Sequence, residues 1–182
     1  MTKLRSRYVS QAAGRVLEVG IGSGLNLSHY GCAVESITGV DPAEALTRKA
    51  KERADRIRAE VAVIGVSGES IPVRSESFDT VVCTWTLCSI PDPQAAIAEM
   101  YRALKPDGKL IFVEHGQSPE PKISKWQHRI EPYWKVVAGG CHLTRRIDDL
   151  VTAGGFEIKS FESGYQKGPK IAAFMMHGIA TR

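Results

Sequence analysis

The stretch that decides the fold is Arg15–Leu27, RVLEVGIGSGLNL. Its first half is short and apolar, which favours a buried strand, and its second half carries glycine at alternate positions, Gly20, Gly22 and Gly24. Glycine suits a backbone with positive φ, or one against which another group must lie closely. The stretch therefore predicts a strand that runs into a tight turn where a ligand is held.

The spacing of the glycines narrows the choice of ligand. A dinucleotide fingerprint would need a third glycine where this chain has Leu25, and a P-loop would need Gly-Lys-Ser/Thr, which does not follow. Asp41 ends the next apolar run, 21 residues after Gly20, close to the spacing at which a carboxylate reaches ribose hydroxyls. Glu18 lies inside the first apolar run, where a carboxylate is costly unless it has a partner. We therefore expect a ligand with a ribose and without an obvious phosphate.

Outside this stretch, short apolar runs alternate with helical patterns. The candidate strands are Val16–Val19, Ser36–Val40, Val61–Ile64, Phe78–Thr84, Lys109–Glu114, Phe156–Phe161 and Ile171–Met176, and the candidate helices are Glu44–Arg58 and Pro93–Leu104. The last two strands are joined by ESGYQKGPK, which is too short for a helical crossover. We predict one domain over residues 1–182, with an α/β fold and a short N-terminal cap. Its Rossmann-like, mostly parallel seven-stranded sheet has helices on both faces and a C-terminal antiparallel hairpin.

Composition excludes several classes of protein. The 182 residues are 43% hydrophobic and 24% charged, as in an ordinary soluble domain, and the net charge of +4 is too small for a nucleic-acid-binding footprint. The apolar runs are too short to cross a membrane, and the N-terminus has no apolar core of a signal peptide. The four cysteines show no disulfide-like spacing. We expect a reduced, cytoplasmic protein, a monomer or a dimer, with no nucleic-acid partner.

Three further motifs follow the glycine turn in order: GESIPVRSESFDTVV from Gly68, CTWTLCSIPDP from Cys83 and YRALKPDGKLIFVEH from Tyr101. Together with EVGIGSG and GVD they resemble the class I S-adenosylmethionine-dependent methyltransferases over most of the chain. The segments VVCTWTLCSI, EHG and WQHRIEPYWKVVAGGCHLTRR are similar to the animal thiol S-methyltransferases of the methyltransferase-like group and their bacterial relatives. The resemblance implies S-adenosylmethionine as cofactor and S-adenosylhomocysteine as product.

The resemblance also implies where the cofactor binds. Asp41 is expected to accept hydrogen bonds from the ribose hydroxyls, with an N-cap of the next helix as the alternative, since Pro42 suits a first helical turn. Glu69 is expected to accept from the adenine amine, and Glu18 either braces the glycine turn or bonds the cofactor's ammonium through water. Trp85 is equally well read as a packing residue. The full predicted set is Glu18, Gly20, Gly22, Gly24, Asn26, Asp41, Pro42, Gly68, Glu69, Ser70, Thr84 and Trp85.

Residues 117–145 are predicted to form a lid over the acceptor. Trp126, Ile130 and Trp134 are spaced to share one helical face, with Pro132 expected to bend or break the helix. Core packing and weak peripheral contact with a membrane are the alternatives for this segment. The acceptor pocket is predicted to be lined by Tyr8, His115, Trp126, Trp134 and His142.

His115 is the one candidate catalytic residue, as a base, with a structural histidine as the alternative. Its neighbour Glu114 either orients it or points elsewhere. Cys141 and His142 are close enough in the expected fold to approach His115, but their separations match no zinc-ligand motif, so no metal is expected.

The predicted reaction is an in-line transfer of a methyl group to a small-molecule acceptor. The resemblance implies a small, fairly apolar thiol as acceptor, and a model thiol pKa of about 8.5 fits the absence of an obvious strong base. A phospholipid amine or a quinone-type acceptor is the alternative, and a non-catalytic S-adenosylmethionine-binding protein is the second. The motif [DN]PP[YF], typical of amino-methylation of adenine or glutamine, is absent after the fourth strand, which speaks against nucleic acid as substrate.

Overall fold

The computed structural model describes residues 2–182 and confirms the predicted fold class. Seven strands form one sheet in the order β3-β2-β1-β4-β5-β7-β6. The strands are β1 (Gly14–Val19), β2 (Val34–Val40), β3 (Glu60–Ile64), β4 (Phe78–Thr84), β5 (Leu104–His115), β6 (Glu157–Tyr165) and β7 (Phe174–Thr181). Strands β1 to β5 pair in parallel, whereas β7 is antiparallel to both β5 and β6.

Helices cover both faces of the sheet. They are α1 (Thr2–Val9), α2 (Glu44–Ala54), α3 (Pro93–Ala103), α4 (Pro121–Val137) and α5 (Ile147–Ala153). One apolar core holds Met100 of α3 and Ile147 of α5, and the core on the opposite face holds Val9 of α1 and Ala50 of α2. None of the helices within residues 2–182 has the length and apolar character that a bilayer crossing requires.

The order of the strands in the sheet places the candidate ligand site between β1 and β4. The chain builds β1, β2 and β3 outward in one direction, then returns to place β4 on the other side of β1. The turns after β1 and β4 therefore lie next to each other at a topological switch point, where open α/β sheets bind their ligands.

Three local predictions were wrong. The last strand begins at Phe174 rather than Ile171, because residues 170–172 form a 3₁₀ turn after Pro169. Strand β5 begins at Leu104 rather than Lys109: it pairs there opposite Phe78 and resumes pairing at Lys109, opposite Thr80, with an irregularity between them. Helix α4 continues through Pro132 to Val137, so the predicted possibility of a break there is wrong. Helix α5 was not predicted at all.

Candidate cofactor and acceptor site

Close contacts within the protein explain two of the three glycines in the turn after β1. Gly20, Gly22 and Gly24 all have positive φ, as the turn requires. A Cβ on Gly20 would lie 1.8 Å from Thr86 Oγ1, and one on Gly24 would lie 3.0 Å from Ala50 Cα. A Cβ on Gly22 would meet nothing closer than Asp41 Oδ2, at 3.9 Å. Gly22 is thus the glycine of the turn whose outer side is open for a ligand.

Asp41 joins the turn to the next helix. Its Oδ2 accepts from the Gly22 amide at 3.1 Å and its Oδ1 from the Ala43 amide at 2.8 Å. Helix α2 begins at Glu44 with Ala43 at the N-cap, so the alternative reading of Asp41 as N-cap was wrong, and Pro42 is exposed ahead of the helix. Each carboxylate oxygen keeps a second lone pair, so the side chain can still accept from a ligand.

A buried polar network lies beneath the turn. Glu18 accepts from Asn26 Nδ2 at 2.9 Å and from the Tyr30 hydroxyl at 2.7 Å, and Asn26 also donates to Thr84 Oγ1 at 3.0 Å. Burial raises the pKa of Glu18 to about 7, while its hydrogen bonds act in the opposite sense. These contacts connect the ends of β1 and β4 across the switch point and agree with the bracing reading of Glu18.

Arg5 is a site residue that sequence reasoning missed. From α1 its guanidinium donates to Asn26 Oδ1 at 2.5 Å and lies over the Trp85 ring, 4.2 Å from the centroid. Only the three-dimensional approach of α1 to the ends of β1 and β4 reveals it, since nothing in TKLRSRYV distinguishes Arg5 from its basic neighbours.

Trp85 occupies a strained position at the end of β4. Its φ of 53° is unusual for a residue other than glycine, and its amide donates to Val113 O at 2.8 Å. Within the described chain its buried indole Nε1 has no hydrogen-bond partner. A strained backbone and an orphaned donor are both common at ligand sites.

The predicted adenine segment lies between β3 and β4. Gly68 is buried, and a Cβ there would lie 2.6 Å from Val19 Cγ1. Glu69 accepts from Ser67 Oγ and from the Asp92 amide, each at 2.6 Å, while Ser70 is exposed. The Glu69 carboxylate therefore ties this segment to the start of α3.

Glu114 points away from His115. Its fully buried carboxylate accepts from the amides of Thr86 at 2.9 Å and Cys88 at 3.1 Å, so it holds the turn after β4. Burial raises the pKa of Glu114, although these amide hydrogen bonds favour its charged form. Of the two predicted readings of Glu114, the structure shows the second.

His115 lies in a cluster with two cysteines. The ligand-type atoms of Cys88, His115 and Cys141 all lie within 4.8 Å of one another, with Cys141 Sγ 3.5 Å from His115 Nδ1. Hydrogen bonding between the thiols lowers the pKa of Cys141 and raises that of Cys88. The approach of Cys141 to His115 was expected from the sequence, but Cys88 was not, because it is remote from both and the three match no ligand spacing.

The rest of the predicted acceptor pocket is only partly brought together. His142 lies beside the cluster, since its amide donates to Cys88 O at 2.6 Å, but its Nδ1 is paired with Glu131 Oε1 at 3.1 Å. Trp134 packs with Ile130 against Cys88 and Cys141. Trp126 is 51% exposed on α4, so it does not share their buried surface. Tyr8 is a core residue whose hydroxyl bonds His177 Nδ1 at 2.8 Å.

One cleft of the structure lies away from the predicted site. It has a volume of about 710 Å³ and lies between the glycine turn, the start of β2 and the end of α2. Of the predicted cofactor residues, it contains only Gly24. Chemistry and topology, rather than cavity size, are therefore the grounds for taking the switch point as the candidate site.

The mostly parallel sheet, the glycine turn and the acidic residue after β2 are together typical of Rossmann-like α/β proteins that bind a nucleotide-bearing ligand. Comparison with known proteins then identifies the family. A family model described as a methyltransferase domain matches residues 17–112. The chain belongs to this family of S-adenosylmethionine-dependent methyltransferases, as its motifs predicted.

Individual relatives agree with this assignment. Thiol S-methyltransferase TMT1B of Rattus norvegicus is 35% identical over 71% of this chain, and its Homo sapiens counterpart is 34% identical over 81%. The matched regions span 54% and 63% of those two proteins, so the chain covers less than two thirds of their length. A solved structure of a SAM-dependent methyltransferase from Methanosarcina mazei has a TM-score of 0.75 and 26% identity. That match covers 97% of this chain and 95% of the other.

Proposed function

We propose that this protein transfers the methyl group of S-adenosylmethionine to a small, fairly apolar thiol. The observation that carries the proposal is the switch point, where Gly22 leaves its outer side open beside the Asp41 carboxylate. Family membership supports the cofactor. The thiol acceptor is supported by the two mammalian relatives, which are thiol S-methyltransferases and match well over half of this chain.

The residues of the switch point fit this cofactor. The bare backbone of Gly22 admits the amino-acid end, and the Asp41 carboxylate can accept from ribose hydroxyls while it keeps its two amide bonds. Glu69 at the start of the β3–β4 segment would accept from the adenine amine. The unpartnered indole N–H of Trp85 is a donor for the methionine portion.

The cofactor, when bound, supplies an electrophilic methyl group on a sulfonium. The chain has to hold the acceptor atom about 3 Å from that methyl, opposite the departing sulfur. Because the positive charge on sulfur disappears during the transfer, a dry and partly aromatic surface suits the chemistry. Trp85 and Trp134 offer such a surface beside the turn after β4. Without a metal, His115, whose Nδ1 lies 3.5 Å from Cys141 Sγ, would accept a proton from the acceptor.

A transfer assay tests the acceptor class. The purified chain would be given radiolabelled S-adenosylmethionine with a panel of small apolar thiols, with matched alcohols and amines, and with vesicles containing phosphatidylethanolamine. We expect label in the thioether products and not in the alcohols or amines. Label in the vesicle lipid alone would overturn the thiol proposal while leaving methyl transfer in place.

A further inference from the structure

Cys88, His115 and Cys141 have the composition of a metal site. Two thiols and one imidazole are ligands that a borderline-soft divalent ion such as Zn²⁺ prefers. Thiols and imidazoles in protein cores ordinarily pack against apolar side chains, whereas here all three ligand atoms converge on one another within 4.8 Å. This convergence is the observation that calls for an explanation.

The distances agree with tetrahedral coordination. With Zn–S near 2.3 Å and Zn–N near 2.0–2.1 Å, a tetrahedral site separates its sulfur and nitrogen ligands by about 3.6 Å and two sulfurs by about 3.8 Å. Cys141 Sγ and His115 Nδ1 are 3.5 Å apart. Cys88 Sγ lies within 4.8 Å of both, so the three ligand atoms surround one common point.

The backbone around the cluster is held in place. The Glu114 carboxylate accepts from the Cys88 amide at 3.1 Å, and the His142 amide donates to Cys88 O at 2.6 Å. Gly140 has a φ of +86° and approaches so closely that a Cβ on it would lie 3.1 Å from Ser89 O. These contacts fix Cys141 opposite Cys88 although the two are remote in sequence, as a pre-organised ligand set requires.

Partners for ionised ligands are also present. The Arg145 guanidinium donates to the carbonyls of Leu87 and Ile90, which places a positive charge beside the turn that carries Cys88. Trp134 packs against Cys88 and Cys141. Outer-shell groups of this kind stabilise thiolates bound to a metal.

Only three corners come from the protein. Among residues 2–182, no fourth His, Cys, Asp or Glu joins the group. Glu114 directs both oxygens to backbone amides, and His142 is paired with Glu131. Three protein ligands and one free position are typical of a catalytic zinc site, whereas a structural site is closed by four.

We propose that Cys88, His115 and Cys141 bind a zinc-type divalent metal ion whose fourth position takes the sulfur of the acceptor thiol; the thiol part rests on the function proposed above. The cluster adjoins the cofactor turn, because Thr86, two residues before Cys88, is in contact with Gly20. With the metal bound, His115 is a ligand and no longer the base, and the acceptor S–H proton is released to solvent when its sulfur takes the fourth position. A C–S bond then forms to the methyl group as the sulfonium C–S bond breaks, with its electron pair going to the sulfur of S-adenosylhomocysteine.

Cobalt substitution tests the metal site without any need for turnover. The anaerobic, reduced chain is titrated with Co²⁺, whose visible bands distinguish tetrahedral from octahedral sites and whose sulfur charge-transfer band counts bound thiolates. We expect one ion per chain, with two thiolates and displacement by one equivalent of Zn²⁺. Cys88→Ser, Cys141→Ser and His115→Gln should each weaken binding by more than about 100-fold, the upper end of what an outer-shell change costs.

Cys32→Ser is the matched control, because Cys32 is exposed and outside the cluster. It should bind cobalt as the unmodified chain does. S-adenosylhomocysteine binding by each variant, measured by calorimetry, shows that the variant is folded. Any of four results would overturn the metal site. They are octahedral cobalt, binding that is not stoichiometric, an equal loss of binding in Cys32→Ser, and a Cys88–Cys141 disulfide that persists under the reducing conditions.

The thiol step has a separate readout. A small thiol that is methylated should raise the charge-transfer intensity of the cobalt form from two thiolates to three, and an alcohol of the same shape should not. If thiols are methylated by a chain that binds no metal, the metal site is wrong and the proposed function stands. If cobalt binds as two thiolates and the thiol changes nothing, the coordination step is wrong.

Discussion

At the scale of single residues, the carboxyl groups were the most informative part of the sequence. Glu18 was singled out because it lies inside an apolar run, and Asp41 because it ends the next run at a fitting distance from Gly20; both lie at the switch point. The network around Glu18 was not predictable: Tyr30 bonds Glu18, whereas Arg5 and Thr84 bond Asn26 and reach it only when α1 and the ends of β1 and β4 come together. Cys88 was not expected beside His115 for the same reason.

Because Glu18 is buried, we expect the stability of the cofactor-free protein to depend on pH. Burial raises its folded-state pKa to about 7 from a model value of 4.5, so the fold favours the protonated acid. That contribution is complete below pH 4.5 and is lost as the pH rises through 7. The full difference is about 3 kcal/mol at 1.36 kcal/mol per pKa unit.

Urea unfolding at pH 5 and pH 8 measures this contribution. The Glu18→Gln variant keeps the shape without the charge, so its free energy of unfolding should fall less than that of the unmodified chain between the two pH values. Because both proteins carry the same other titrating groups, the difference between their two changes reports on Glu18 alone. Equal changes in both proteins would show that Glu18 is not the buried acid described.

A substitution at Gly22 distinguishes an effect on ligand binding from an effect on the stability of the fold. Gly22→Ala should cost about 1–2 kcal/mol of stability because the residue has a φ of +52°, and should weaken S-adenosylhomocysteine binding at least about tenfold by filling the open side of the turn. Gly139→Ala is the control, since Gly139 has a φ of +60° and nothing within 4 Å of an added Cβ. Calorimetry should find unchanged binding in the control. Equal loss in both variants would place the ligand elsewhere.

At the scale of elements, periodicity and turn chemistry predicted what is local. The strands β1 to β5 and the helices α2 and α3 were expected near their observed positions, and the short loop correctly indicated the antiparallel β6–β7 pair. The end of β7 was misjudged because its second half contains His177 and Gly178, which do not look like strand core. They are buried because β7 lies between β5 and β6 and His177 bonds to Tyr8.

Substitutions in α4 test how the predicted lid is anchored to the rest of the protein. Gln127 is fully buried, and it bonds the Ser118 amide at 2.8 Å, Ile171 O at 3.0 Å and Gly116 O at 3.3 Å. Gln127→Ala leaves these backbone groups unpaired, so we expect a loss of about 3 kcal/mol or local release of α4. Trp126→Ala, one residue away and half exposed, should cost less than 1 kcal/mol.

Hydrogen exchange of the α4 amides, followed with urea unfolding, distinguishes the two outcomes for Gln127→Ala. Fast exchange confined to α4 means that the helix detaches while the sheet persists. Global loss of stability means that α4 is part of the main core. Indistinguishable behaviour of the two variants would contradict the anchoring role of Gln127.

At the scale of the whole molecule, a ligand at the switch point contacts both halves of the sheet. S-adenosylhomocysteine at 100 times its Kd should therefore stabilise the fold by about 2.7 kcal/mol, or about 5 to 10 °C in Tm for a chain of this length. NADH should give no shift, because Leu25 stands where a dinucleotide turn needs glycine. Thermal unfolding with each ligand checks this, and a shift with NADH alone would return the chain to the dinucleotide-binding class.

The measurement that tests the central claim most directly is a calorimetric titration of S-adenosylhomocysteine into the unmodified chain, Asp41→Ala and Asp79→Ala. Asp79 is the matched control, because it also accepts from a backbone amide, that of Arg15 at 2.8 Å, but near the opposite end of β4. We predict binding that weakens by about 2 kcal/mol, or about 30-fold, in Asp41→Ala and is unchanged in Asp79→Ala. No binding by the unmodified chain, or equal losses in both variants, would contradict the assignment of the glycine turn and Asp41 as the cofactor site.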